Sequence, residues 1–133
     1  MHCLLDTHTF LWLWGQSERL PRKARSVLED PVNEVYLSAV SLWEIAIKLR
    51  SGRLDLEGRS AVDLISDAEK MSIQVIGIEP AETASHSNLL ENTHFDPFDR
   101  MLIWQAISRK MTLVSGDTEF KKFTPHGLKL LWK

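Results

Sequence analysis

Cysteine is nearly absent from this 133-residue chain: Cys3 stands alone, so no internal disulfide can staple the fold. Cys3 sits in the apolar run Cys3-Leu4-Leu5, which reads as a buried strand and fits a reducing, cytoplasmic location. No apolar stretch approaches the roughly 18 residues that a membrane span requires. No basic segment precedes an apolar one at the N-terminus, so neither an anchor nor a signal peptide is expected. Glycine-rich phosphate loops are missing, as is the Gly-x-Ser-x-Gly nucleophile elbow of many hydrolases. The histidines, His2, His8, His86, His94 and His126, lack zinc-type spacing, and one cysteine completes no zinc cluster. Neither sign of charge dominates, since 18 acids face 16 Lys and Arg for a formal net charge of −2. Nucleic-acid binders are usually basic, but setting aside the four acids singled out below reverses the sign, so the charge argues weakly either way.

What is present is ordinary for a globular chain: 44% hydrophobic and 26% charged residues. One domain spanning 1–133 is expected, able to bury roughly two-thirds of its unfolded surface. Strand patterns fall at 2–5, 35–37, 73–76, 112–114 and 128–132. Helical patterns fall at 7–14, 21–30, 39–50, 60–71, 80–90 and 97–111, with a short helix or turn at 117–123 and a polar loop at 91–95. Strands alternating with helices imply an α/β architecture with a mainly parallel central sheet of four to five strands and right-handed crossovers. Of the five tryptophans, Trp12, Trp14, Trp43, Trp104 and Trp132, most are expected as core anchors, with some facing a partner.

Four carboxylates stand where strands end or helices begin. Asp6 closes Cys3-Leu4-Leu5, Glu44 lies in Ser41-Leu42-Trp43-Glu44, Asp99 in Asp96-Pro97-Phe98-Asp99-Arg100, and Asp117 follows Thr112-Leu113-Val114-Ser115-Gly116. Each has a structural explanation. Asp6 and Asp117 suit helix caps, Ser41-x-x-Glu44 matches a capping box, and Asp96-Pro97-x-Asp99 reads as cap, first-turn proline and a dipole-favoured acid. Jointly they say more. In an open parallel sheet the strands' carboxyl ends share the ligand-binding edge, and acids gathered there make a hard-cation site suited to Mg²⁺ or Mn²⁺. Asp96 is assigned mainly to the cap, which leaves Asp99 for chemistry.

Leu4-Leu5-Asp6-Thr7-His8, Ser41-Leu42-Trp43-Glu44-Ile45-Ala46-Ile47-Lys48, Asp96-Pro97-Phe98-Asp99-Arg100-Met101-Leu102-Ile103 and Thr112-Leu113-Val114-Ser115-Gly116-Asp117 resemble, in order and across nearly the whole chain, PIN-domain proteins of the VapC toxin type. The resemblance implies a three-layer PIN-like fold and a metal-dependent endoribonuclease that leaves 5′-phosphate ends. It implies a toxin neutralised by an antitoxin, and a homodimer. By that resemblance Asp6, Glu44, Asp99 and Asp117 take the places of the acidic quartet. Asp6 and Asp99 are then the direct ligands of one or two Mg²⁺ or Mn²⁺ ions, Asp117 completes the shell or binds through water, and Glu44 ligates or orients water. Ser115 falls where the family often has Thr or Ser, as a supporting or substrate contact. Thr7 is read either as orienting Asp6 or as an ordinary helix-start hydroxyl, and Asp96 as cap or accessory acid. Gly116 departs from the longer side chain common in the family.

Arg100, Lys48, Arg50, Lys121 and Lys122 lie near the acids in sequence and are candidates to guide an RNA backbone, or else a solvated charged face. An antitoxin helix would find apolar anchors on the first and third helices, with Phe10, Trp12, Trp14 and Trp43 as the groove residues. Two other functions use part of the same pattern. A phosphoryl-accepting receiver domain also has strand-end acids, yet wants an acidic pair after the first strand and a late lysine. A silent interaction module would have merely capped helices.

Overall fold

The structure, a computed structural model, describes residues 1–133. The strands are β1 His2–Leu5, β2 Glu34–Ser38, β3 Ile73–Ile76, β4 Thr112–Val114 and β5 Lys129–Leu131. The helices are α1 Thr7–Gly15, α2 Arg22–Glu29, α3 Ala39–Arg50, α4 Ala61–Lys70, α5 Pro80–Ser85 and α6 Pro97–Ser108. Three 3-10 segments, Ser17–Arg19, His86–Asn88 and Thr118–His126, complete the chain. All five strands pair in parallel in the order β3-β2-β1-β4-β5.

Because side chains alternate across a strand, the sheet feeds two cores. Cys3, Leu5, Val35, Leu37, Val114 and Leu131 face one side, against Phe10 of α1, Ala24 and Leu28 of α2 and Leu64 and Ala68 of α4. Leu4 and Leu113 face the other, against Leu102, Ile103 and Ala106 of α6 and Phe120 and Phe123 of the last 3-10 segment. Helices on both faces of the sheet make the three-layer α/β architecture expected from the sequence. The strand order differs from the 2-1-3-4-5 order of flavodoxin-like receiver domains, which removes that alternative. No helix is long and apolar enough to cross a membrane.

Local departures have local causes. Ser38, not Ser41, caps α3, its Oγ accepting the Val40 N–H at 3.1 Å, so Ser41-x-x-Glu44 lies inside the helix and is no capping box. Pro21 precedes α2 as its cap residue. The helix expected over 80–90 stops at Ser85, whose hydroxyl turns back to the Ala81 carbonyl at 2.6 Å and receives the Trp104 indole N–H at 3.0 Å. Ser60 does cap α4, in a reciprocal capping box with Asp63.

A buried polar knot joins α5 to α6. Glu82 accepts from Arg109 Nε at 2.6 Å and from its terminal nitrogen at 2.7 Å, and from Gln105 at 3.2 Å. Gln105 also accepts the hydroxyl of the α3 cap Ser38 at 2.6 Å. Burial pushes the Glu82 carboxyl up, but the Arg109 fork, the Glu79 N–H and Gln105 together outweigh it and hold the group below its ordinary 4.5. A depressed carboxyl contributes stability that is complete above the unfolded value and is lost as pH falls through the folded one. Glu82→Gln is therefore expected to cost about 2–4 kcal/mol at pH 7, by leaving Arg109 half-buried and unpaired. The deficit should shrink below about pH 4, as urea midpoints at pH 7 and pH 3 would report.

Candidate functional site

The strand order reverses at β1: β2 and β3 lie to one side, β4 and β5 to the other. Such a switch point opens a crevice at the carboxyl ends of the strands. Leu5 is level with Val114, so Asp6 and Ser115 leave the sheet side by side. Asp6 Oδ1 accepts the Thr9 N–H at 2.8 Å, capping α1, and Oδ2 accepts the Ser115 hydroxyl. The same Ser115 oxygen accepts the Asp117 N–H at 3.1 Å. The Thr9 hydroxyl donates to the Val114 carbonyl at 2.9 Å, a further tie between the ends of β1 and β4. Asp117 caps the closing 3-10 segment through the Glu119 N–H at 2.9 Å and leaves its side chain exposed.

The other two acids arrive on helices. Asp96 caps α6 by accepting the Asp99 N–H at 2.9 Å, so Asp99 rises from the first turn with its carboxylate free for other contacts. Asp99 Oδ2 lies 2.9 Å from His94 Nε2. Glu44, buried on the second turn of α3, has Lys48 Nζ 2.8 Å from one oxygen and Thr7 Oγ1 2.7 Å from the other. Thr7 Oγ1 is also 3.0 Å from Ser41 Oγ. With one proton to give, Thr7 donates to the carboxylate and takes its own bond from Ser41. Asp6, Glu44, Asp99 and Asp117 all line one cleft of about 490 Å³.

Burial raises two of the carboxyls in this cleft. Burial pushes the Asp6 carboxyl up, against the opposing bonds from Ser115 and Thr9. Burial likewise lifts Asp99 from 3.8 to about 6, with Asp96 and Glu44 adding repulsion and His94 opposing. No three of these side chains close on a common point as a formed metal centre would. The donor set nonetheless fits a hard divalent cation. It is carboxylate oxygen without thiol, and repulsion there would be relieved by positive charge.

The family model for the PIN domain matches residues 3–124. The chain belongs to the PIN-domain family. Solved structures share its fold, three VapBC structures among them. The crystal structure of VapBC2 from Rickettsia felis, bound to a DNA fragment from their promoter, aligns with a TM-score of 0.71 at 17% identity, covering 100% of both chains. DNA-bound VapBC from Salmonella typhimurium gives 0.69 at 15% identity, covering 98% of this chain and 97% of the other. VapBC-1 from nontypeable Haemophilus influenzae gives 0.67 at 17% identity, with the same two coverages. No curated protein matches the chain. PIN domains are metal-dependent nucleases, and the carboxylate cleft lies where this PIN domain's sheet provides for a ligand.

Several side chains do other work than their sequence neighbourhood suggests. Thr7 supports Glu44 and makes no bond to Asp6. Lys48 is held on Glu44. Arg100 does not face a substrate, because its guanidinium is bound to the carbonyls of Leu89, Glu91 and His94. Lys122 reaches back to Thr93 and Glu119, while Arg50 and Lys121 stay exposed. Phe10 is fully buried in the core and lines no groove. Trp43 lies against Phe98 on a different surface from Trp12 and Trp14. His94 has no spacing signal in the sequence, since it reaches Asp99 across a loop, packed edge-on to Phe120 and Phe123 at 5.7 Å.

Proposed function

We propose that this PIN domain, spanning the whole chain, is a Mg²⁺- or Mn²⁺-dependent endoribonuclease, the toxin of a type II toxin–antitoxin pair of the VapC kind. The observation that carries this reading is the convergence of Asp6, Glu44, Asp99 and Asp117 on one cleft at the sheet's switch point. Asp6 and Asp99 are the residues to hold the cation, with Asp117 beside them. The chemistry that a divalent ion held there would supply is neutralisation of phosphate charge and activation of water. The chain's own groups prepare the site. Ser115 and Thr9 orient Asp6, His94 orients Asp99, and Thr7 with Lys48 holds the Glu44 carboxylate in place.

The VapBC names of the similar structures support a cognate antitoxin as partner. A second cleft of about 410 Å³, with Leu11, Trp12, Trp14 and Leu56 on its walls, adjoins the carboxylate cleft and suits an apolar helix face. We also propose a cytoplasmic homodimer.

Purified protein freed of any copurifying partner is expected to cut RNA with Mn²⁺ or Mg²⁺, leaving 5′-phosphate ends, and to stop in EDTA. Mn²⁺ should bind saturably to the wild type and not to Asp6→Asn. RNA left intact by the metal-loaded wild type, or Asp6→Asn cutting at the wild-type rate, would sink the reading.

A further inference from the structure

We propose that Trp132, Trp12 and Arg19 form a platform for an unpaired nucleotide along the wall of the carboxylate cleft. Trp132 stacks a base beside the phosphate to be cut, and Arg19 takes a neighbouring phosphate. This rests on the ribonuclease reading and adds the residues that hold the strand beside the site.

Gly116 supplies the first argument. Its φ is not positive, so its backbone does not call for glycine. A Cβ there would instead stand 2.6 Å from Trp132 Cε2 and 2.8 Å from both Cζ2 and Nε1. Residue 116 has given up its side chain to the indole of Trp132, which follows β5 and crosses to lie beside Asp117. Two residues far apart in sequence thus combine to set a flat aromatic ring at the edge of the acids.

The surroundings of that ring are those of a binding surface. Trp12 lies 6.0 Å from Trp132 at 40°, and both line the cleft that holds the four carboxylates. Trp14 donates its indole N–H to Asp67 and Trp104 donates to Ser85, whereas Trp12 and Trp132 donate to no protein atom. Arg19 lies 4.4 Å over the Trp12 ring and bonds Gln16 at 3.2 Å. It has no carboxylate partner, although it shares a cleft with four acids. A polyanion approaching those acids is repelled, and a cation held in place by stacking offsets that repulsion where a flanking phosphate must pass. Aromatic rings and arginine planes beside a basic contact are the means by which proteins hold unpaired bases, whose faces a duplex keeps covered. Arg19, a cation on this wall without a carboxylate partner, favours a phosphate-bearing strand over an apolar helix face.

The test uses a short fluorescein-labelled oligoribonucleotide in EDTA, where binding is read without cleavage, and the same sequence as a duplex. The single strand is expected to bind at least about tenfold more tightly than the duplex and to quench tryptophan emission. Trp132→Ala should weaken single-strand binding about tenfold. Gly116→Ala, which displaces the indole without removing it, should do the same. Arg19→Gln should lower the salt dependence by about one counterion. Trp132→Ala and Arg19→Gln should leave Mn²⁺ binding unchanged. In the cleavage assay the losses should appear as higher KM with kcat nearly constant. Equal binding of single strand and duplex, or wild-type binding by both Trp132→Ala and Gly116→Ala, overturns the platform while leaving the nuclease standing. Variants that bind RNA normally but shed a copurifying protein would assign the wall to that protein instead, and the proposal falls. Failure of the metal-loaded wild type to cut any RNA is a separate result, which strikes the ribonuclease reading itself.

Discussion

Asp99→Asn is expected to lower RNA cleavage at least about a hundredfold and, in metal-free protein at pH 7, to raise stability. Both effects have one origin. Asp99 sits at the start of α6 in a half-buried position, with Asp96 and Glu44 nearby, and its carboxyl is lifted from 3.8 to about 6. A carboxyl raised in the folded state binds its proton more tightly there than in the unfolded chain. Stability from this group therefore falls as pH rises from about 4 to about 6, and above that the whole penalty stands. Asparagine keeps the shape, can still accept from His94 Nε2 at the position now 2.9 Å away, and carries no charge. The shift corresponds to at most about 3 kcal/mol, and about 1–2 kcal/mol is the reasonable expectation for a side chain with some solvent access. Urea titration at pH 7 should show the gain, and at pH 4 it should vanish. Added Mn²⁺ should stabilise the wild type and not the variant. A stability loss at pH 7 without metal would mean that the carboxylate serves the fold. Function held at the expense of stability is the usual signature of a site.

Much of the fold could be read from periodicity. Leu4 between Cys3 and Leu5, Tyr36 between Val35 and Leu37, and Leu113 beside Val114 alternate between two cores, so short apolar runs had to be strands covered on both faces. The site was legible where one residue type has one local job. Asp96 before Pro97 reads as a cap, and it is one, which frees Asp99. Motif logic failed where a helix began earlier than the motif. Ser38 takes the cap of α3, and so Ser41 and Glu44 become interior residues joined through Thr7. It failed again for contacts made across loops. Nothing in the spacing of His94 announces Asp99, and nothing in Gly116 announces Trp132, because each pair is brought together by tertiary packing. Charge proximity in sequence was the poorest guide. Lys48 and Arg100 both flank acids of the site, yet one is held on Glu44 and the other faces a loop.

Arg100→Ala is expected to be the most destabilising single change near the site, about 3–5 kcal/mol, or roughly 10–20 °C in Tm for a domain of this size. The guanidinium reaches out of α6 into the segment that precedes it. One terminal nitrogen donates to the Glu91 carbonyl at 2.6 Å and the His94 carbonyl at 3.0 Å, the other to the Leu89 carbonyl at 2.9 Å. The plane lies 6.0 Å from the Phe123 ring, and Glu91 Oε2 is 3.8 Å away. Glu91 in turn accepts the N–H groups of Thr93 at 2.8 Å and His94 at 3.2 Å. A segment with no regular hydrogen bonding is therefore folded around one planar cation, and its last bonded residue is the histidine that touches Asp99. Truncation leaves three carbonyls without partners, Leu89 being buried. Arg100→Lys restores the charge but not a fork able to meet three acceptors, so it should recover less than half of the loss. Cleavage by both variants, measured below their melting temperatures, should fall with kcat, because His94 no longer holds Asp99. A residue that merely steered RNA would behave otherwise. Lysine would then be nearly neutral for stability, and the alanine variant would show a raised KM with a weaker salt dependence. Thermal melts of Arg100→Lys decide between the two roles before any RNA is added.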